Sequence, residues 1–178
     1  MKVAIITGAS VGIGSSTAQT FLNEGFTVFN LARRQCAIDG VTSLSCDLSS
    51  QTSIDIACDT LKKALTDCSE ATLIHNASQM KKDSVGDCSS DSLNQVMATN
   101  VIAVNSLNQH LLPLMPTSSS VLYIGSTLSE KAVPGSFSYV ISKHAQLGMM
   151  RATCQDLMGS GLHTAMICPG FTDTEMLR

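Results

Sequence analysis

Tyr139 and Lys143 stand four residues apart, and Ser126 precedes the tyrosine by thirteen. On a helix, positions i and i+4 share one face, so the phenol and the ammonium could act together. A nearby ammonium favours the phenolate and lowers the tyrosine pKa. A tyrosine tuned in that way can take a proton from an alcohol or give one to a carbonyl. No side chain stores hydride, so carbonyl/alcohol chemistry here would also need a hydride carrier. The rest of the chain is therefore read for a place to hold a nicotinamide dinucleotide.

The first elements supply one. KVAIIT (Lys2 to Thr7) is a continuous, β-branched run that predicts a strand buried on both faces of a parallel sheet. It leads into GASVGIG (Gly8 to Gly14), and a helical pattern follows from Ser15 to Glu24, with Ala18, Phe21 and Leu22 on one face and Gly25 as its stop. Glycines let the backbone approach a pyrophosphate, and a helix N-terminus offers free N–H groups and partial positive charge. The spacing is GxxxGxG rather than GxGxxG. A glycine turn can also be a packing device, but one placed between a buried strand and a helix favours a nucleotide. TVFNLA (Thr27 to Ala32) predicts the second strand, followed by Arg33 and Arg34 with no acid. An acid there would take a ribose 2′-OH, whereas an arginine fork suits a 2′-phosphate. NADP(H) is thus favoured, with NAD as the alternative; two solvated surface arginines are the bland reading.

Further on, VTSLSCDLSS (Val41 to Ser50) predicts a short strand ending in Asp47, then an amphipathic helix over 50–65 with Ile54, Ala57, Cys58, Leu61 and Leu65 inward. ATLIHNAS (Ala71 to Ser78) predicts a fourth strand whose end, Asn76 and Ala77, is small enough for a flat ligand; His75 is expected to face packing. A polar loop over 80–92 precedes a long helix from about Asp91 to Leu114, interrupted by Asn100 and Asn105 and ended by Pro113 and Pro116. A polar Asn in an apolar helix stripe bonds within the structure or lines a site. SSVLYIGS (Ser119 to Ser126) predicts a fifth strand that delivers Ser126, the Tyr139–Lys143 helix runs on to Gly159 or Gly161, and Leu162 to Gly170 predicts a sixth strand. Repeated β–α alternation predicts an α/β fold, a doubly wound parallel sheet with right-handed crossovers. Ligands in such sheets sit outside the carboxyl ends of the strands, where Gly8 to Gly14, Arg33, Asp47, Asn76, Ser126 and Pro169 all fall.

Composition bounds the rest. A chain of 178 residues, 44% hydrophobic and 14% charged, suits one ordinary globular domain. A net charge of -3 gives no reason to expect nucleic acid. No apolar run reaches the roughly 18 residues of a membrane span, and the N-terminus lacks the features of a secretory signal. The seven cysteines include no CxxC pair and lie at least ten residues apart, poor spacing for a metal site and consistent with reduced thiols in a cytoplasmic protein.

Taken together, these residues resemble the short-chain dehydrogenase/reductase superfamily over Lys2 to Thr174. TGASVGIG (Thr7 to Gly14) looks like its TGxxxGxG cofactor turn, and Asp47 with Leu48 like its DL pair beside the adenine. HNAS resembles its NNAG, with His75 for the first Asn and Ser78 for the Gly; MATN supplies its helix Asn at Asn100; PGFTDT (Pro169 to Thr174) resembles its PG motif with a downstream Thr. The resemblance implies a Rossmann fold with α/β/α layers and a cofactor site of Gly8, Ser10, Val11, Gly12, Ile13, Gly14, Arg33, Arg34, Asp47, Leu48, Asn76, Ala77, Ser78, Tyr139, Lys143, Pro169, Gly170, Thr172 and Thr174. It implies that Tyr139 is the general acid/base, that Lys143 lowers its pKa and holds the nicotinamide ribose, that Ser126 polarises a substrate carbonyl, and that Asn100 holds a water linking Lys143 to solvent.

The same resemblance implies a small carbonyl or alcohol substrate and a homodimer through the Asn100 and Tyr139 helices, with a tetramer as the alternative. Members usually continue past the PG motif into a substrate-covering segment, so a chain ending at Arg178 is expected to lack it. The alternative function is an NAD(P)(H)-binding sensor or structural protein with little turnover.

Overall fold

The first strand is organised by its apolar alternation. In β1 (Lys2–Thr7), Val3 and Ile5 point into one apolar cluster and Ala4 and Ile6 into the other. A strand buried on both faces must be central, and β1 lies between β2 (Thr27–Ala32) and β4 (Glu70–His75), parallel to both. With β3 (Val41–Ser45), β5 (Ser120–Ile124) and β6 (His163–Ile167), the computed structural model shows a six-stranded parallel sheet in the order β3-β2-β1-β4-β5-β6. It describes residues 1–174. This is the doubly wound α/β arrangement expected from the β–α alternation. After β3 the chain crosses the sheet to begin β4 beside β1, so the order reverses between β1 and β4.

The larger cluster fills one face. There α2 (Gln51–Thr66) buries Ile54, Ala57, Cys58, Leu61 and Leu65, the five residues its periodicity marks as inward. Beside it, α4 (Ala103–Leu111) contributes Val104, Leu107 and Leu111. On the opposite face α1 (Gly12–Asn23) packs Ala18, Phe21 and Leu22 against β1 and β2.

Several boundaries differ from the sequence expectation. Helix α1 begins at Gly12 rather than Ser15, directly after the turn. Strand β3 stops at Ser45, before Asp47. The long helix expected from Asp91 to Leu114 is not uniform: α3 (Ser90–Met97) passes through a π turn at Ala98–Ile102 into α4, then a 3₁₀ turn at Leu112–Leu114. The π turn inserts an extra residue into the helical repeat, and such turns recur at functional sites. Buried Val96 and Val101, five residues apart, straddle the widened region. Asn100 lies in it and is fully buried, whereas Asn105 is exposed on α4.

The sheet depends on α2 for much of its cover. Leu61→Ala should therefore lower the free energy of unfolding by about 3 kcal/mol in urea melts, the cost of a buried leucine truncation, whereas exposed Thr60→Ala should change it by about 0.5 kcal/mol or less.

Candidate active site

The turn after β1 is shaped by what glycine permits. Gly8 and Gly12 have φ of 70° and 59°, in the left-handed region that side chains disfavour. At Gly14 a Cβ would collide with the Gly8 carbonyl oxygen and stand 2.5 Å from Asn76 Nδ2. The turn is fastened from two neighbours. Asn76 Nδ2 donates to the Thr7 and Gly8 carbonyls at 3.0 Å each, and the Asn76 and Ala77 N–H groups both donate to Thr7 Oγ1 at 3.0 Å. From β2, buried Asn30 accepts from the Ala9 N–H at 2.9 Å. Helix α1 then starts with no side-chain cap and no acid in its first turn, and a cleft lined by Gly12, Ile13, Ser16, Thr20, Thr172 and Thr174 runs along its first turns. The Thr174 methyl lies 3.2 Å from where a Gly12 Cβ would stand. Ser10 and exposed Val11 lead into this helix start, and exposed Gly170 lies between Pro169 and the Thr172–Thr174 segment.

The ends of β2 and β3 form the next part of the edge. Arg33 and Arg34 are exposed there. Asn30 Nδ2 holds the Arg34 carbonyl at 3.1 Å and Ser43 Oγ at 3.1 Å, so one buried amide ties the glycine turn to the arginine loop. Asp47 is exposed; hydrogen bonds from the Ser49 backbone and hydroxyl, aided by the Arg33 charge, hold its carboxyl below the usual range. The Leu48 side chain belongs to the core.

The reactive trio meets across β5 and α5 (Phe137–Asp156). Ser126 leaves the end of β5 and caps the 3₁₀ turn Thr127–Ser129, its Oγ accepting from Leu128 N at 3.1 Å. Pro169, after β6, accepts from Thr127 N at 3.1 Å, so it braces the same loop. Tyr139 and Lys143 are both buried, with Lys143 Nζ 5.5 Å from the Tyr139 ring centroid. The Ser126 and Ser78 hydroxyls bear on the phenol; Ser78 Oγ is buried with no well-formed hydrogen bond of its own.

Burial pushes the Tyr139 phenol above its ordinary value, and the two serine hydroxyls offset only part of that. The lowering expected from Lys143 does not emerge: the groups that lower the phenol are the two serine hydroxyls, and desolvation of the phenolate outweighs them. Burial likewise pushes the Lys143 ammonium down to about 8, opposed by Cys168 at the end of β6.

Asn100 does structural work in both directions. Its side chain accepts from Gln79 N at 2.7 Å and donates to the Gln79 carbonyl at 2.8 Å and Ser142 Oγ at 2.9 Å, joining the loop after β4 to α5. Its backbone carbonyl accepts from Gln146 Nε2 at 2.6 Å, and Gln146 Oε1 accepts from Lys143 Nζ at 2.9 Å. A glutamine side chain thus joins the Asn100 carbonyl to the Lys143 ammonium.

Sequence reading missed three groups that shape this region. Gln146 stands three residues after Lys143, a spacing that shares its helix face. Asp83 accepts from Ser138 N at 3.0 Å through Oδ1 and from Phe137 N at 3.1 Å through its carbonyl, which caps α5 just ahead of Tyr139. Asn108 joins His75 Nε2 (2.8 Å) to the Tyr123 hydroxyl (2.8 Å), which donates to Thr153 Oγ1 at 3.1 Å. Burial pushes the His75 pKa down to about 4, so the ring is neutral and part of packing, as expected.

Comparison with known proteins agrees with this geometry. The family model for short chain dehydrogenase matches residues 2–178. The chain is 27% identical to NADPH-dependent pterin aldehyde reductase of Arabidopsis thaliana, covering 99% of this chain and 77% of that protein. It is 25% identical to the 3-oxoacyl-[acyl-carrier-protein] reductase MabA of Mycobacterium avium, covering 99% and 69%. A crystal structure of a short chain dehydrogenase family protein from Francisella tularensis superposes with a TM-score of 0.90 at 28% identity, over 99% of this chain and 72% of that one.

The Asp83 cap gives a testable consequence. Burial raises its carboxyl pKa, and the Ser138 hydrogen bonds, together with Cys88 and the Lys81 charge, outweigh that to give a net lowering. A lowered carboxyl pKa stabilises the fold above the unfolded value of about 4 and loses that contribution as pH falls through the folded value. Asp83→Ala should cost about 1 kcal/mol at pH 7 in denaturant melts, and the gap from wild type should close below about pH 4.

Proposed function

We propose that this chain, which belongs to the short-chain dehydrogenase family of NAD(P)-dependent oxidoreductases, transfers a hydride between NADP(H) and a small carbonyl or alcohol, with Tyr139 as general acid/base. The observation that carries the reading is the meeting of Ser126, Tyr139 and Lys143 on the sheet edge that also holds the glycine turn. The residues fit a dinucleotide. Gly14 has no room for a side chain, and the start of α1 offers uncapped N–H groups suited to a pyrophosphate. The bound nicotinamide supplies or accepts the hydride. Arg33 and Arg34 follow directly on β2, where the sequence has no acidic residue to take a ribose 2′-OH, and an arginine fork suits a 2′-phosphate. The NADPH-dependent relative supports the same preference.

The chain's own groups handle the proton. In reduction, Tyr139 donates its hydroxyl proton to the developing alkoxide while Ser126 hydrogen-bonds the same oxygen. The upward shift of the phenol keeps that proton in place at neutral pH. Lys143 stays charged below about pH 8 and offsets the phenolate left behind. Oxidation runs through the same groups in reverse. Asn76, Ala77 and Ser78 form the wall behind the glycine turn, and Asn100 fixes the loop that follows them.

A panel of small carbonyls assayed with NADPH tests the acid/base role. Tyr139→Phe should lower turnover by roughly 100- to 10,000-fold with NADPH binding retained in calorimetry. Equal rates for the two proteins would refute the assignment, and tight binding without turnover on any substrate would select the sensor alternative. Wild-type reduction should fall as pH rises past about 8, where Lys143 loses its charge. For the cofactor, Arg33→Asp should shift the NADPH/NADH ratio of kcat/KM toward NADH by at least roughly tenfold, the loss of one charge-assisted phosphate contact; an unchanged ratio removes the 2′-phosphate role.

A further inference from the structure

Lys143 is a fully buried ammonium, and among the described residues no carboxylate pairs with it. A buried charge must find acceptors or lose its proton. Lys143 Nζ donates to two: the Ile124 carbonyl at the end of β5 and Gln146 Oε1, both at 2.9 Å. Gln146 is only 1% exposed, and its Nε2 donates to the Asn100 carbonyl at 2.6 Å. That carbonyl lies in the π turn, where the widened backbone lets a side chain reach it.

We propose that Gln146 is the positioning residue for Lys143, spanning from the Asn100 carbonyl in the π turn to the ammonium so that Lys143 stays charged beneath Tyr139. An amide suits this place because it accepts and donates at once. An apolar side chain would take away one of the two acceptors of the ammonium. A carboxylate would give Lys143 a counter-charge but leave the Asn100 carbonyl without its donor. The titratable groups that face Lys143 are Tyr139, on its own helix, and Cys168, after β6; β5 and the π turn present backbone carbonyls. The functional meaning of the link rests on the acid/base reading of Tyr139 and Lys143. The link itself does not, so the two can fail separately.

The test follows the Lys143 titration by carbon NMR of the full chain labelled at lysine Cε, with circular dichroism to confirm folding and a Lys143→Arg spectrum for assignment. Gln146→Met, which keeps the volume and removes the amide, should lower the Lys143 pKa by about one unit. Gln146→Glu should raise it by about as much, and the alkaline limit of NADPH-dependent reduction should move in the same order. Opposite shifts from two similar-sized side chains are not produced by a residue that only fills space. If both variants fold and Lys143 titrates as in wild type, the proposal is overturned. If the Met variant does not fold, Gln146→Leu decides: a lowered Lys143 pKa upholds the link and an unchanged one refutes it. Shifted titrations alongside full activity in Tyr139→Phe would uphold the link and sink the acid/base reading instead.

Discussion

The Thr7 hydroxyl accepts hydrogen bonds from two consecutive backbone N–H groups, those of Asn76 and Ala77. That contact joins the ends of β1 and β4 at the point where the strand order reverses. Strands β1 and β4 are adjacent in space, yet two strands and two helices separate them in the chain, and the strand order reverses between them. At such a reversal, loops from neighbouring strands lead to opposite faces and leave a crevice. Asn76 then carries the fastening forward into the Thr7 and Gly8 carbonyls, which sets the path of the glycine turn. The absence of side-chain room at Gly14 follows from this, because the Gly8 carbonyl and the Asn76 amide occupy the space. Asn30 repeats the device from β2, so the turn is held on both flanks by side-chain amides, of which Asn30 is fully buried. A ligand entering the crevice meets a backbone whose polar groups are already aimed.

A second constraint runs through the other half of the site. Among the described residues Lys143 is buried without a carboxylate partner, which is costly, and the fold answers with neutral acceptors placed at fixed points. One is the last carbonyl of β5 and the other is Gln146, anchored on the π turn. The turn is therefore part of the electrostatics of the site as well as a feature of helix packing. It also places the Asn100 side chain against both the loop after β4 and Ser142 of α5. One residue of irregular helix thus connects the glycine-turn side of the crevice to the Tyr139 side.

The sequence was most legible where a single periodicity decided the outcome. Strands β1 and β2 match their expected bounds to the residue, because short runs rich in β-branched and aromatic residues and bounded by turn residues favour a strand over a helix. The inward face of α2 was likewise visible from its spacing alone. Asn100 was recognisable as a polar break in an apolar stripe, and Ser126, Tyr139 and Lys143 were found by type and spacing. The remainder depended on contacts between distant segments. Asp83 caps a helix 55 residues away through a loop that reads only as polar. Gln146 looks like an ordinary helix amide until the Asn100 carbonyl is placed beside it. The π turn left a trace, the five-residue step between Val96 and Val101, but one irregular step in a long apolar pattern does not distinguish a wide turn from an inexact stripe.

Burial acts on the two titrating groups of the site in opposite senses. It raises the phenol and lowers the ammonium, so each isolated group is driven toward its neutral form. Read singly, those shifts seem to oppose a mechanism that needs a charged lysine and a phenolate in turn. They act differently on the pair. A phenolate beside an ammonium is a dipole, and desolvating a dipole costs less than desolvating two separate charges. The state with the proton gone from Tyr139 and Lys143 still charged is thus penalised less than either shift alone implies. The same low-dielectric surroundings favour the protonated phenol. What holds this balance is the supply of neutral acceptors to Lys143, since each one stabilises the ammonium without adding a negative charge that would compete with the phenolate. An Asp or Glu in place of that amide would secure the lysine but leave less of its positive field for Tyr139. A buried amide relay is therefore better suited to this site than a salt bridge.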